Sequence, residues 1–373
     1  MAKSISINGR TIGSGAPTYL VAEMSANHGG DFSRAVKILE EAKAAGADAV
    51  KLQTYTADTL TLKSDQDCFR IGQGSPWEGR RLYDLYREAT TPWSWHPKLK
   101  EVAHRLGLDL FSSPFDFTAV DFLEGMGVPC YKIASFEIVD IPLIRRVAQT
   151  GKPLILSTGL ATREEIGEAV QEARAHGAGD IALLKCTSAY PSPPEEMNLR
   201  SVPALAQDFD VPVGLSDHTL GFAVSVAAVA LGACLIEKHF TLSRRHSSSD
   251  SSFSLEPAEF KALTEAVRTT EKALGRVDYV LGEKERASRV FRRSLFVVQD
   301  MAAGEAFTES NVRSIRPGNG LPPKYGSNVM GRRAMCSIKR GTPLTWDLVE
   351  GKASEATGGP AGSDGLPPAS SIE

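Results

Sequence analysis

The sequence predicts an α/β fold, a (β/α)8 TIM barrel followed by a small β-rich domain. Eight short apolar runs alternate with amphipathic stretches over roughly 250 residues, the usual span of such a barrel. Polar and charged residues gather where the runs end, as they do at the carboxyl-terminal face of these barrels. A doubly wound open sheet is the alternative, but no glycine-rich phosphate fingerprint follows the first run.

The predicted strands are short, apolar and bounded by turn residues, which is typical of buried strands. In chain order they cover Tyr19–Ser25, Ala49–Tyr55, Leu108–Phe115, Cys130–Phe136, Pro153–Gly159, Ile181–Ser188, Val211–His218 and Cys234–Thr241.

Amphipathic segments between these strands predict the helices. Asp31 or Ser33 is suited to cap the first helix, and Thr162-Arg-Glu-Glu has the pattern of a capping box. The clearest predicted helices are Ser33–Ala45, Trp95–Leu106, Thr162–His176 and Leu220–Leu231.

Two further segments complete the predicted barrel domain, residues 1–275. Ser4–Ile12, with Asn8-Gly9 at its centre, predicts a hairpin that closes the bottom of the barrel. The long insert Ala57–Thr91 follows the second strand and is rich in Asp, Gly and aromatic residues. We expect this insert to cover the top face.

Beyond the barrel the composition and the hydrophobic pattern of the sequence change. Residues 276–290 are charged and predict a linker, and residues 291–351 predict the small domain, with strands at Arg293–Val298 and Ala334–Ile338. Gly304-Glu-Ala-Phe-Thr and Gly341-Thr-Pro-Leu-Thr share one pattern, which indicates two similar halves. Residues 352–373 contain few large apolar side chains and predict a disordered tail.

Composition excludes several classes of partner. A net charge of −3 and a pI near 6.2 provide no field for nucleic acid or an anionic membrane. No apolar run approaches the ~18 residues of a membrane span, and the N-terminus lacks a signal-peptide core. Five cysteines without CxxC spacing are typical of reduced packing residues, so we expect a cytoplasmic protein.

Two histidines follow the last two predicted strands. His218 and His239 would converge on one mouth if these strands are neighbours, and imidazole is the commonest protein ligand for transition metals. For either histidine alone, a hydrogen-bonded polar residue at a strand end is the alternative. The acidic neighbours Asp217 and Glu237, with the polar ends of the other strands, favour a metal site.

Lysines at the strand ends indicate an anionic ligand. Lys51, Lys132 and Lys185 would lie in or near an apolar interior, where each needs an anionic partner. Such lysines with several hydroxyls suit a phosphate and a carboxylate on one small molecule. Internal salt bridges with Glu23 or Glu137 are one alternative. A Schiff-base aldolase with Lys132 or Lys185 as nucleophile is another, and a non-catalytic sugar-binding protein is a third.

The motifs at these strand ends closely resemble those of the sialic acid synthase family, over about residues 15 to 350. They are Glu23-Met-Ser-Ala-Asn-His28, Lys51-Leu-Gln-Thr-Tyr55, Ser112-Ser-Pro-Phe115, Tyr131-Lys-Ile-Ala-Ser135, Leu156-Ser-Thr-Gly159, Cys186-Thr-Ser-Ala-Tyr-Pro191, Gly214-Leu-Ser-Asp-His218, Glu237-Lys-His-Phe240 and Arg316-Pro-Gly-Asn-Gly320. The resemblance implies that the small domain is an antifreeze-like SAF domain of the β-clip type.

The resemblance also implies a reaction. Phosphoenolpyruvate would add through C3 to the aldehyde of an open-chain acetamido sugar, with C–O cleavage and release of phosphate. It implies a divalent metal, manganese with magnesium or cobalt as alternatives, bound by His218 and His239. Residues implied to bind phosphoenolpyruvate are Lys51, Ser113, Lys132, Ser135, Ser188 and Ser216. Residues implied to be catalytic are Glu23, Glu137, Glu237, Lys51 and Lys132, and those implied to bind the sugar are Glu23, Gln53, Tyr190, Asp250 and Arg316.

Within the family, the sequence is most similar to members that use 2,4-diacetamido-2,4,6-trideoxy-L-altrose to build surface glycans such as those of flagellin. Relatives acting on N-acetylmannosamine or the legionaminic acid precursor are the alternative. Phe136 replaces a glycine of such relatives, and we expect it to form an apolar wall for the sugar. The family also implies a homodimer of domain-swapped type, in which Arg316 reaches the partner's barrel.

Overall fold

The structure is a computed structural model that describes residues 3–72, 77–246 and 248–351. It divides the chain into two units, Met1–Arg276 and Val277–Glu373. The predicted disordered tail, residues 352–373, lies outside the described residues.

The first unit begins with a short antiparallel hairpin. Strands β1 (Ser4–Ile7) and β2 (Arg10–Gly13) pair with Ile5 opposite Ile12. Asn8 and Gly9 both have positive φ, 49° and 78°, as the tight turn of a two-residue hairpin requires. The predicted hairpin is therefore confirmed.

Eight parallel strands close into a barrel, which confirms the predicted fold class. Each strand pairs with the next along the chain, and the last pairs with the first. Each strand ends one to three residues before its predicted end, because the polar residues there leave the ladder and line the mouth. The strands are β3 (Tyr19–Glu23), β4 (Ala49–Thr54), β5 (Asp109–Pro114), β6 (Tyr131–Ile133), β7 (Leu154–Ser157), β8 (Ile181–Cys186), β9 (Val213–Asp217) and β10 (Leu235–His239).

Two apolar layers support the barrel. One fills the lower interior, where Tyr19, Phe111 and Leu235 pack with Ile7 and Ile12 of the hairpin. The other lies between the outer faces of the strands and the surrounding helices, and includes Leu20, Leu52 and Ile236. Successive residues of a strand therefore point alternately inward and outward.

Helices surround the barrel. Asp31 caps the first by accepting hydrogen bonds from the backbone of Ser33 and Arg34, and Thr162 forms the predicted capping box with Glu165. The helices of the first unit are α1 (Phe32–Ala44), α2 (Ala57–Leu60), α3 (Leu82–Ala89), α4 (His96–Leu106), α5 (Phe117–Met126), α6 (Ile141–Ala148), α7 (Arg163–Ala175), α8 (Ser201–Phe209), α9 (Ala223–Ala230) and α10 (Pro257–Leu274). In the described part of the chain, none of the helices combines the length and apolar character needed to cross a membrane.

The second unit repeats one backbone pattern. It contains α11 (Glu283–Ser288), strands β11 (Ser294–Val297) and β12 (Val312–Ile315), which pair antiparallel, and α12 (Gly326–Val329). The amide of Gly304 donates to Ala334 O, and that of Gly341 donates to Val297 O. The two donors lie 37 residues apart, and so do the two acceptors, so each half makes the same bond to the other. The predicted similarity of two halves is present in the hydrogen bonding.

One strand prediction in this unit was wrong. Ala334–Ile338 forms only isolated bridges, Ala334 with Val349 and Ile338 with Met301, and β12 was not predicted. The apolar run at 334–338 is interrupted by the exposed residues Met335 and Cys336, so it offers no continuous ladder.

Candidate active site at the barrel mouth

Four buried charged side chains meet inside the barrel. Lys51 on β4 and Lys132 on β6 both approach Glu237 on β10: Lys51 Nζ lies 3.6 Å and Lys132 Nζ 3.5 Å from the same oxygen, Oε1. Lys51 Nζ also lies 2.8 Å from Glu23 Oε2 at the end of β3. All four side chains are at most 6% exposed.

The charges of this cluster are unequal. Burial alone would raise the pKa of Glu237, but Lys132 and Lys51 lower it overall, which favours the ionised form. Burial raises the pKa of Glu23, against the opposing effect of Lys51. Burial lowers the pKa of Lys132, whereas Lys51 has a raised pKa because Glu23 and Glu237 outweigh burial. Lys51 and Lys132 share Glu237 Oε1, and Lys51 also pairs with Glu23, so an anionic ligand in this cluster would meet two buried ammonium groups.

Hydroxyl groups surround the lysines. Ser113 Oγ lies 3.5 Å from Lys51 Nζ, and Ser216 Oγ donates to Glu237 Oε1 at 3.2 Å. Ser135 and Ser188 flank Gly159 so closely that a Cβ there would lie 2.6 Å and 2.3 Å from their hydroxyl oxygens. The structure therefore brings together the side chains predicted to hold a phosphate and a carboxylate.

Ser157, in the motif Leu156-Ser-Thr-Gly159, is a further candidate ligand-binding residue to which the sequence assigned no role. It lies at the end of β7, is 1% exposed, and its hydroxyl has no hydrogen-bond partner in the described part of the chain. A buried hydroxyl without a partner is costly unless a ligand or water satisfies it. Its position at the inner end of a strand was the available signal.

The two histidines predicted to bind metal are neighbours. The ring centroids of His218 and His239 lie 5.4 Å apart. His218 Nδ1 lies 3.1 Å from Thr187 O, so Nδ1 is the donor and the neutral imidazole carries its lone pair on Nε2. His239 Nδ1 makes no hydrogen bond to any described residue and lies 3.9 Å from Asp250 Oδ2.

The pKa values of these histidines differ in direction. Burial lowers the pKa of His239, and the charge of His218 lowers it further. Burial also acts to lower the pKa of His218, but Cys186, the Thr187 carbonyl and Glu237 raise it overall. Two close imidazoles, one oriented by a carbonyl and one with an unsatisfied nitrogen, fit a divalent metal. Among residues 3–72, 77–246 and 248–351, no group of three or more His, Cys, Asp or Glu is arranged to hold one, so water or substrate would complete its coordination.

Three of the predicted sugar-binding residues, Glu23, Gln53 and Asp250, are joined in one hydrogen-bonded network. Gln53 Nε2 donates to Glu23 Oε1 at 2.9 Å and to Ser25 Oγ at 3.0 Å. Ser25 Oγ in turn donates to Asp250 Oδ2. Tyr190 packs over His218 with ring centroids 4.4 Å apart, which places this network and the histidines at one mouth.

Glu137 stands apart from the lysine cluster. It lies in the 3-10 turn Ser135–Glu137 after β6, and burial raises its pKa to about 7. Its Oε2 has no hydrogen-bond partner among the described residues. A carboxyl that titrates near neutral pH is suited to proton transfer.

Two predicted candidates lie outside the barrel interior. Lys185 is on the outer face of β8, where its Nζ donates to Cys186 O at 2.9 Å and to Thr187 Oγ1 at 3.0 Å. This position removes Lys185 as a Schiff-base nucleophile at the mouth. Arg316 is exposed in the second unit, and no described residue forms a hydrogen bond or ion pair with its side chain.

Aromatic residues at the mouth were missed by sequence reasoning. Trp77, in the insert after β4, lies 5.6 Å from Tyr190 and 6.5 Å from Phe253 between ring centroids. Its Nε1 donates to Ser249 O at 2.9 Å, so the insert does reach across the mouth. Phe136, the expected apolar wall, lies on the rim and is 61% exposed. Nothing in the sequence signals a contact between residues so distant along the chain.

Two family models match most of the chain. The NeuB family matches residues 38–279 and the SAF domain matches residues 292–350. Pseudaminic acid synthase of Helicobacter pylori is 46% identical over 335 residues, covering 90% of this chain and 98% of that protein. N,N'-diacetyllegionaminic acid synthase of Legionella pneumophila is 35% identical over 356 residues, covering 94% of this chain and 100% of that protein.

A solved structure shares the barrel. N-acetylneuraminic acid synthetase of Leptospira borgpetersenii, in complex with citrate, superposes with a TM-score of 0.69 and is 30% identical, covering 77% of this chain and 95% of its own. The resemblance to the sialic acid synthase family is thereby confirmed. The chain belongs to the NeuB family.

Proposed function

We propose that this protein is a pseudaminic acid synthase, which condenses phosphoenolpyruvate with 2,4-diacetamido-2,4,6-trideoxy-L-altrose. The observation that carries the proposal is the cradle in which Lys51 and Lys132 share one oxygen of Glu237 beside two imidazoles. Similarity at 46% identity over 90% of the chain to a protein of that name supports the choice of sugar.

In this proposal the cradle holds phosphoenolpyruvate. Lys51 and Lys132 neutralise its phosphate and carboxylate, and Ser113, Ser135, Ser188 and Ser216 donate hydrogen bonds to their oxygens. Ser157 offers one further hydroxyl. Fixing the anion in this way places C3 of phosphoenolpyruvate toward the mouth, where the aldehyde of the sugar enters.

The reaction balances with water as the third reactant. C3 of phosphoenolpyruvate attacks the aldehyde carbon and forms the new C–C bond, while the aldehyde oxygen takes up a proton. Water adds to C2, and phosphate leaves with the bridging oxygen as its C–O bond breaks. The candidate carboxyl groups to move these protons or position the water are Glu23 and Glu237 at the lysines and Glu137 in the turn after β6.

His218 and His239 would hold a divalent metal, manganese in the first place and magnesium or cobalt as alternatives. When bound, such an ion supplies positive charge beside the aldehyde oxygen. Glu23, Gln53, Tyr190 and Asp250 then orient the hydroxyl and acetamido groups.

The proposed assembly is a homodimer in which the partner's Arg316 contacts the sugar. Large apolar side chains on four separate mouth loops support a cover over the mouth, since each is at least 61% exposed: Leu62, Phe136, Leu160 and Leu220. The five cysteines are free, as expected of a cytoplasmic enzyme. The product would serve a surface glycan, such as that of flagellin.

Phosphate release with three sugars tests the function. We expect turnover with phosphoenolpyruvate and the altrose sugar, and a kcat/KM at least tenfold lower with N-acetylmannosamine, because one apolar contact discriminates by ~1–3 kcal/mol. The legionaminic acid precursor is the third arm. Greater efficiency with that precursor would favour the legionaminate alternative, and equal efficiency with all three would refute the specific assignment.

A further inference from the structure

We propose that Trp77 and Phe253 form the apolar wall that selects sugars with a methyl group at C6. The inference rests on the proposed function, because it concerns the sugar of that same reaction. It assigns the selection to residues inside the mouth and not to Phe136 on its rim.

The wall is a packed aromatic cluster next to the histidines. Phe253 is 2% exposed, and its ring lies 5.0 Å from His239 and 5.2 Å from Tyr190. Trp77 packs against Tyr190 at 5.6 Å and meets Phe253 edge-on at 6.5 Å, so the three rings form a triangle. Such contacts stabilise a fixed arrangement of rings.

A hydrogen bond orients the indole. Trp77 Nε1 donates to Ser249 O at 2.9 Å, so the polar edge of the ring is directed at the loop between β10 and α10. The rest of the ring is carbon. Trp77 thus presents an apolar surface where the insert closes over the mouth.

The part of the site around the lysines is charged and polar, unlike the aromatic wall. Lys51, Lys132, Glu237 and the serine hydroxyls make the deep wall charged and polar. A sugar group placed against Trp77 and Phe253 therefore gains by being apolar, whereas a hydroxyl there loses hydrogen bonds to water without replacement.

The length of the sugar decides which group arrives there. The aldehyde carbon is placed near the histidines by the proposed reaction, and an open six-carbon chain spans roughly 6 Å, because each of its five C–C bonds advances the zigzag by about 1.25 Å. Tyr190 lies 4.4 Å from His218 between ring centroids, and Trp77 lies one ring further out. The far end of the sugar, with its C6 methyl, then reaches Trp77, while Phe253, whose ring lies 5.0 Å from His239 and 6.5 Å from Trp77, backs the wall on the histidine side.

The test compares the selectivity ratio of variants, defined as kcat/KM for the altrose sugar divided by kcat/KM for N-acetylmannosamine. We expect Trp77→Leu and Phe253→Leu each to lower the ratio at least tenfold, with the KM for phosphoenolpyruvate unchanged within twofold. Trp77→Phe keeps an aromatic face and should retain most of the ratio. Phe209→Leu, at the end of α8 and remote from the mouth, is the matched control and should behave as wild type.

Each other outcome overturns the inference. An unchanged ratio in both leucine variants means that the wall does not contact the sugar's end, and a loss in Phe136→Leu alone would transfer the role to the rim. If either leucine variant fails to fold by circular dichroism, the other variant and Trp77→Phe carry the comparison.

Failure of the proposed function gives a different result. The wild-type protein could instead prefer the legionaminic acid precursor, which shares the C6 methyl. The selectivity ratio is then kcat/KM for that precursor divided by kcat/KM for N-acetylmannosamine, and the same changes in the variants are expected. A wild-type preference for N-acetylmannosamine would overturn the wall as well, since that sugar carries a C6 hydroxyl.

Discussion

His218 and His239 are both buried, but different surroundings hold their rings. The Thr187 carbonyl orients His218, while His239 Nδ1 has no hydrogen-bond partner in the described structure. Two imidazoles whose ring centroids lie 5.4 Å apart, one of them with an unsatisfied nitrogen, fit the proposed divalent ion. Sequence alone suggested the pair, and the orienting carbonyl came only with the fold.

Removing either histidine tests the metal site. We expect His218→Ala and His239→Ala to weaken manganese binding about 10–100-fold or more, measured by electron paramagnetic resonance titration, because each removes a ligand. Turnover should stop after chelation and return with added manganese in the wild-type protein, but return only at high metal concentration in the variants. His104→Ala, on the outer helix α4, is the control.

Full turnover after exhaustive chelation would remove the metal from the mechanism. Unchanged manganese affinity in both variants, with the fold intact by circular dichroism, would place the ion elsewhere.

Glu137 makes stability depend on pH. Burial raises the pKa of Glu137 to about 7 in the folded protein, above its ordinary value near 4.5, so the folded state binds the proton more tightly. Its ionisation therefore costs no stability below pH 4.5, an increasing amount between pH 4.5 and 7, and the full amount above pH 7. We expect the difference in free energy of unfolding between Glu137→Gln and the wild type, measured in urea, to grow by roughly 2 kcal/mol in favour of the variant from pH 5.5 to pH 8.

Glu137→Gln should also lose activity if Glu137 transfers a proton, and the limb of the kcat/KM profile near pH 7 should disappear with it. A stability difference that stays constant from pH 5.5 to 8 would show that Glu137 is solvated in the folded protein.

Strands β9 and β10 carry a buried ion pair on their outer faces, directly behind the histidines. Lys238 Nζ lies 2.9 Å from Asp217 Oδ2 and donates to Thr219 O at 2.6 Å. Asp217 also accepts hydrogen bonds from Thr219 and Ser225. Asp217 is therefore not a ligand-lining residue at the mouth, although its position in the motif suggested one.

A double-mutant cycle measures this pair. We expect Lys238→Met and Asp217→Asn each to cost about 3–5 kcal/mol in urea unfolding, because each leaves a buried charge or polar group without its partner. The double variant should cost less than the sum of the single variants by ~1–3 kcal/mol. The i,i+3 pair Lys37–Glu40, which is exposed, is the control and should show almost no coupling. Additive losses in the buried pair would show that each residue acts alone.

At the scale of elements, the eight strands and the main helices were predictable. The apolar runs and the capping residues Asp31 and Thr162 are local signals, and each is used as predicted. The failure at Ala334–Ile338 has a physical cause, since a short run becomes a strand only if a partner strand pairs with it continuously.

At the scale of the whole molecule, the role of Arg316 depends on the proposed homodimer. Arg316 is exposed at the start of a loop that two backbone hydrogen bonds hold: Gly318 N donates to Val290 O, and Gly320 N donates to Ser294 Oγ. If it completes a partner's mouth, Arg316→Ala should raise the KM for the sugar at least tenfold and leave the KM for phosphoenolpyruvate within twofold. Arg313→Ala, on β12 of the same unit and also exposed, is the control.

Mixing subunits decides which mouth Arg316 serves. At sugar concentrations well below the KM of Arg316→Ala and at limiting metal, the proposal makes Arg316→Ala and His239→Ala each nearly inactive. Half of randomly mixed dimers contain both variants, and each such dimer has one intact mouth. We expect recovery of roughly a quarter of wild-type activity. No recovery, with exchange of subunits demonstrated by mass spectrometry of tagged chains, would show that Arg316 serves its own barrel or none.

The sequence by itself determined the order of strands and helices, the family and the set of polar residues at the strand ends. These are local properties: an apolar run, a cap or a motif is visible without knowing what it contacts. It could not decide which lysine lies inside, because strands buried on both faces show no alternation and a shift of one residue reverses every side chain.

The tertiary structure decided that choice and the contacts that follow from it. It turned Lys132 inward and Lys185 outward, placed Glu237 Oε1 between Lys51 and Lys132, and brought Trp77 to Ser249, 172 residues away. Closure of the barrel is the physical reason, because only a closed ring of parallel strands brings the ends of distant segments to one mouth.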